Sequence, residues 1–216
     1  MTIMRRQVLA VVPALCLLIL LVPASSAHPG EKVWGPLATP YGMSYERWLA
    51  RWAVWLQEIP VRRNPYPHPG SPRNCEVRGR AVFMGPSGTG DRRCMVPQRK
   101  AVGLTAMAHE CSTAEGNGKT YRQLRRCAVR GWRLNGTGFR VDIRIDGQKV
   151  KQPRAWTFTS IGRVVDLPAN NIWGAPPGPT KSVTRGLFYM IKPLDPGRHS
   201  IRFSGERYRF KVEAAP

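Results

Sequence analysis

A chain of 216 residues is long enough for one domain with a real core or two small ones, and beyond its leader no segment is apolar enough to span a bilayer. Lys and Arg number 34 against 13 Asp and Glu, a formal net charge of +21. A field of that size favours anionic partners and is weakened by salt; without a partner, the same excess would serve solubility alone.

The chain opens with Arg5 and Arg6, an apolar run from Val8 to Val22, and "PASSA" ending at Ala27. Positive, hydrophobic and small-residue regions in that order predict a secretory signal peptide over 1–27. The run is shorter than the roughly 18 residues that span a membrane. Cys16 follows Leu15, where a lipobox would place a small residue. Without Arg5 and Arg6 the mature chain carries 32 basic and 13 acidic residues, a net charge of +19. It keeps Cys75, Cys94, Cys111 and Cys127, an even set that favours disulfides in an exported chain, with three pairings open. No C-x-x-C is present and His109 is the one histidine near them, so neither a metal centre nor a cofactor is expected.

Residues 28–43, with their prolines and glycines, read as an extended arm, and 44–216 as a single disulfide-stapled, β-rich domain. Ser44 is a suitable N-cap for a helix ending before Pro60. At 100° per residue, Tyr45, Trp48, Leu49, Trp52, Trp55, Leu56 and Ile59 share one arc, opposite Glu46, Arg47, Arg51, Gln57 and Glu58. The three tryptophans therefore read as a stripe packed on a sheet and not as an exposed platform. "VRRNPYPHPGSPRN" must be irregular. Short strands follow at "RAVFMG" and "CMVP" around the turn "GPSGTGD", while "KAVGLTAMAHE" suits strand or helix equally. Thr120 with Gln123 forms a capping box for a short helix lined by Leu124 and Ala128. Arg122, Arg126 and Arg130 make a basic ridge along it.

Strand signals then dominate. In "FRVDIRI" apolar residues alternate with Arg140, Asp142 and Arg144, and Asp146-Gly147 supplies a hairpin turn. "AWTFTSIGRVVDL" is extended, 168–180 is a proline-rich loop, and "GLFYMIKPL" is a buried strand. His199, Ile201 and Phe203 share a face, as do Tyr208, Phe210 and Val212, with Arg207, Arg209 and Lys211 outward. Many short strands with Gly/Pro turns predict an antiparallel β-sandwich, jelly-roll or Ig-like, with the first helix packed on it and one short basic helix.

"YGMSYERWLARWAVWLQEIP", "RRCMVP", "ECSTAEGNG", "LRRCA" and "YMIKPLDPGRHSIRFSG" occur in this order over most of the mature chain. In these motifs the chain resembles a family of largely uncharacterised secreted bacterial proteins. The resemblance implies a single secreted domain with the pairings Cys75–Cys94 and Cys111–Cys127, and it implies almost nothing about function.

Two kinds of chemistry are conceivable. A hydrolase, with glycans as its candidate substrates, would use Glu110, Glu115, Asp166 and His199, with paired carboxylates as acid and as base or nucleophile. In a purely structural role, Glu110 pairs with an arginine, Glu115 caps a turn, and His199 is satisfied by a backbone carbonyl. A binding protein would use Arg122, Arg125, Arg126, Arg130 and Arg133 as phosphate and carboxylate forks, or Asn170, Asn171 and Trp173 as a sugar-holding loop. The expectation is a non-catalytic binding or structural protein of the cell envelope or extracellular space. Its partners would be an acidic glycan, a teichoic-type polymer or an anionic lipid, with nucleic acid bound only nonspecifically. A secreted inhibitor or effector, marked by a basic loop near 62–73, is the third class.

Overall fold

A computed structural model describes residues 31–68, 74–85, 93–136, 141–203 and 206–214. The expected signal peptide, the turn at 86–91 and part of the basic loop lie outside these residues. Two sheets and two α-helices make up the fold. Helix α1 (Tyr45–Gln57) is followed by strands β1 (Cys75–Arg78), β2 (Ala81–Met84), β3 (Arg93–Pro97) and β4 (Ala101–Ser112). Helix α2 (Tyr121–Asn135) then leads to β5 (Ile143–Ile145), β6 (Gln148–Lys149), β7 (Thr157–Thr159) and β8 (Arg163–Leu167). The chain ends with β9 (Gly178–Ile191), β10 (Gly197–Phe203) and β11 (Glu206–Glu213).

Sheet A runs β1-β2-β4-β9-β7 with β8 also on β9, and sheet B runs β3-β11-β10-β5-β6. The result is a mainly β sandwich with a helix packed on it, as the strand pattern predicts. The sheets are not wholly antiparallel. β2 pairs with β4 in parallel, and β3 pairs with β11 in parallel across most of the sequence. Alternation within a strand reports which face is buried and carries no information about the neighbour's direction.

Helix α1 forms for the reason its periodicity gives: Tyr45, Trp48, Leu49, Trp52, Trp55, Leu56 and Ile59 are all buried. Each indole N–H finds an acceptor: Trp48 at Pro40 O (3.0 Å), Trp52 at Met84 O (2.8 Å) and Trp55 at Glu76 Oε2 (2.9 Å). Ser44 occupies the N-cap with extended backbone, but its side chain makes no capping bond. The other end is closed by fully buried Asn64, whose Nδ2 donates to Leu56 O and Ile59 O and so satisfies carbonyls the helix leaves open.

Even-numbered residues of β9 face α1: Phe188 meets Tyr45 and Trp52, and Ser182 meets Gln57. Odd-numbered residues face the other way, and Val183 packs with Leu124 and Ala128 of α2. Strand β4 is thus covered on both sides, which is why "KAVGLTAMAHE" has no clear period. A bulge between Thr105 and Met107 interrupts its pairing with β9. Gly186 sits opposite, where a Cβ would collide with the Met107 carbonyl and with Ala108.

Helix α2 is longer than the capping box and its two apolar residues suggest. It extends to Asn135 and also buries Trp132. The predicted capping box is present. The Asp146-Gly147 hairpin turn has both residues at positive φ (48° and 81°), the combination a type I′ turn requires. Within the segment read as an extended arm, Lys32 O accepts from Lys192 N, and Val33 bridges Ile191 and is buried. Trp34 O accepts from both Tyr45 Oη (2.7 Å) and Trp156 Nε1 (2.9 Å).

Removing the central indole would leave a cavity between α1 and sheet A and an unpartnered Met84 carbonyl. Trp52→Ala is expected to cost about 3–5 kcal/mol of unfolding free energy by denaturant titration. A mutant of unchanged stability would return the tryptophans to the role of ligand platform.

Candidate functional site

Disulfides join Cys75 to Cys94 and Cys111 to Cys127, with Cα atoms 5.9 and 6.2 Å apart. The first ties β1 of sheet A to β3 of sheet B, and the second ties β4 to α2. His109 lies within ligand range of Cys111 and Cys127, but both sulfurs are bonded to each other, so the group offers one nitrogen and no thiolate.

The proposed catalytic residues divide into three places. Glu110, on the α1 face of β4, and Glu115, in the turn after β4, come together. Gln57 Nε2 donates to Ser182 Oγ (3.2 Å), which donates to Glu110 Oε1 (2.6 Å). Ser112 Oγ donates to Glu115 Oε2 (2.7 Å). Glu110 Oε2 is buried and meets no N–H or hydroxyl donor. The Glu110 carboxyl is hydrogen-bonded to that of Glu115, and two carboxyls can bond only through a shared proton. Burial, then the Glu115 hydrogen bond and charge, push the Glu110 pKa up to about 9, against a smaller opposite effect of Ser182. No arginine pairs with Glu110 in the described ion pairs.

Asp166 is exposed on β8, opposite Pro179, and shares no hydrogen bond with the carboxyl pair. His199 belongs to sheet B. Its Nδ1 lies 2.9 Å from Asp146 Oδ2 and its Nε2 2.8 Å from Asp195 O, with the ring tilted on Phe210. Burial raises the Asp146 pKa, but Lys32, His199 and the Ser200 N–H outweigh it and hold the carboxyl below its ordinary value. His199 clamps the β5–β6 turn to β10, and the four groups do not form one catalytic centre.

The binding candidates fare differently from one another. Arg122, Arg125, Arg126, Arg130 and Arg133 are exposed on α2, as the ridge predicts. Asn171 is buried and spent on its own loop: Nδ2 donates to Pro168 O and Ala175 O, and Oδ1 accepts from the N–H groups of Trp173 and Ala175. Trp173 leans on Tyr66 with centroids 6.3 Å apart, and only Asn170 is exposed. No amide pair is left to hold a sugar.

The larger basic surface is the outer face of sheet B. Ile201, Phe203, Tyr208, Phe210 and Val212 point into the core, so alternation sends Arg198, Arg202, Arg207, Arg209 and Lys211 outward, all exposed. The register sets Arg202 between Arg207 and Arg144, and Arg198 opposite Lys211. These side chains line an open depression of about 1250 Å³. Arg144 pairs with Asp142 (3.4 Å); Arg198, Arg202 and Arg207 form no ion pair with the described residues. The outward set on β11 was already legible in "YRFKV", but its assembly with Arg144, Arg198 and Arg202 depends on strand pairing.

Comparison with protein-family models, curated proteins and solved structures returns no match. The site must be read from its own chemistry.

Because the folded protein holds the Glu110 proton up to about pH 9 and an ordinary carboxyl releases it near 4.5, this group's stabilisation is complete below about 4.5 and is lost as pH rises toward 9. Glu110→Gln, a neutral amide throughout, removes that dependence. Unfolding measured near pH 5 and near pH 8 should show a smaller decline for the variant than for the native chain. An equal decline in both would mean that the carboxyl is already ionised in the fold.

Proposed function

We propose that the protein is a secreted, non-catalytic binding protein of the cell envelope or extracellular space, and that it docks extended anionic polymers or surfaces on the outer face of sheet B. The observation that carries this reading is the paired register of Arg144, Arg202 and Arg207 beside Arg198 and Lys211. Strands lie about 4.8 Å apart and same-face residues about 7 Å apart along a strand. Cations on such a lattice meet a chain of repeated phosphates or carboxylates at several points together, whereas one small anion would use a fraction of them. Arginine's fork suits both groups.

Two disulfides in a chain of this size accord with an oxidising compartment, and so with export by the N-terminal leader. The likeness to secreted bacterial proteins points the same way. Acidic glycans, teichoic-type polymers and anionic lipid surfaces share the required chemistry; nucleic acid would bind by backbone charge alone. The hydrolase reading retains only the Glu110–Glu115 pair, without the contribution expected of Asp166 and His199.

Arg207→Glu tests the proposal. It turns the like-charged cross-strand pair with Arg202 into an opposite-charged one, so the fold is expected to be as stable or more so. Binding of the mature chain to a teichoic-type polymer or to anionic vesicles should nevertheless weaken roughly tenfold and depend less steeply on salt. Binding that ignores salt, or that survives Arg207→Glu unchanged, would count against this face.

A further inference from the structure

Strand pairing in sheet B brings four cations into one line. Arg207 of β11 stands opposite Arg202 of β10, Arg202 opposite Arg144 of β5, and Arg144 opposite Lys149 of β6. Opposed residues of paired strands project from the same face, and the neighbours that alternate with them, Ile143, Ile145, Ile201, Phe203 and Tyr208, are buried in the core. The line therefore crosses the outer face at right angles to the strands, over roughly 14 Å at about 4.8 Å per strand. Arg202, Arg207 and Lys149 are exposed and Arg144 is half-buried. Among the described ion pairs, only Asp142 meets the line, at 3.4 Å from Arg144 Nε.

Like charges directly opposite one another on paired strands repel, and here three such pairs follow in sequence. That repulsion is a cost to the free fold, and a chain of anions laid along the line would offset it. Arg144, Arg202 and Arg207 also line the open depression of about 1250 Å³, and Lys149 continues the line beyond the residues of its wall. A flat bilayer rests on the rim of a depression, whereas a flexible chain can lie along its floor. The lengthwise alternative, Arg207, Arg209 and Lys211 on β11, offers fewer cations at a wider spacing of about 7 Å, and Arg209 already has an interaction of its own.

We propose that Arg207, Arg202, Arg144 and Lys149 seat a linear polyanion that lies across the strands, with Lys149 as a binding residue of this face. The proposal rests on the docking role given above to sheet B, and it selects a polymer chain over a lipid surface as the partner.

The test measures binding of the mature chain to linear polyphosphate fractions of graded length at fixed ionic strength. Affinity should climb steeply until a fraction spans the roughly 14 Å line, and only slowly beyond it. Lys149→Gln, at an exposed position of β6, should weaken binding of the long fractions about fivefold and lower the slope of log affinity against log salt by about one. Lys211→Gln should cost less than Lys149→Gln. Arg163→Gln, which removes one exposed charge from β8 of the other sheet, should leave affinity within about twofold, as loss of a screened charge would. Phosphatidylglycerol vesicles should bind less tightly than the long fractions at equal phosphate and should ignore Lys149→Gln. The crosswise seat is refuted if Lys149→Gln has no more effect than Arg163→Gln, if Lys211→Gln costs more, or if vesicles bind more tightly than the polymer. Arg207→Glu separates this failure from failure of the docking face. Weakening by Arg207→Glu without weakening by Lys149→Gln removes the seat and leaves the face standing; no weakening by either removes both.

Discussion

Burial of the α1 aromatic stripe requires that every indole N–H taken out of water be given an acceptor, since an unpaired one would offset much of the gain from burying the ring. The three acceptors come from three different places: Pro40 before the helix, Met84 at the end of β2, and the Glu76 side chain on β1. The helix can therefore seat its hydrophobic face only if the N-terminal segment and the β1–β2 hairpin are both in place. The hairpin in turn carries Cys75, whose bond to Cys94 reaches into sheet B. Trp34 O extends the linkage by accepting from α1 and from Trp156 together.

The same packing explains the uneven chemistry of sheet A. With α1 on one face and α2 on the other, a polar group on β4 must be neutral or internally paired. Glu110 meets that condition by keeping its proton and by the chain Gln57–Ser182–Glu110. Arg185, on the opposite face, cannot lose its charge, and it sits beside further arginines. Sheet B has no helix on its outer side among the described residues, so its arginines remain solvated and accessible.

Much of this was legible in the residues. The arc of α1 and the inward sets at 199–203 and 208–212 follow from periodicity, because burial on one face leaves a regular imprint, and the Thr120–Gln123 cap follows from local residue chemistry. The proline-rich stretch at 168–180 has the composition of a loop throughout, yet β9 begins at Gly178; a strand end carrying Gly and Pro gives no β signal. The direction of β2 against β4 left no local trace. The Glu110–Glu115 approach depends on how the turn folds back, with Asn117 Oδ1 taking the Ser112 N–H, and spacing alone could not place it. Asn171 was misleading for a related reason: the residue type that serves ligands also serves its own backbone.

The pairing of β3 with β11 has a consequence for synthesis. β11 lies between β3 and β10, so sheet B has no centre until residues 206–213 have been made. A growing polypeptide could assemble α1 against the early strands, but β3 would wait with an unpaired edge for more than a hundred residues, tied to β1 by the Cys75–Cys94 bond. Loss of the final ten or so residues would leave β3 and β10 without a common partner, so it would undo far more than a frayed end.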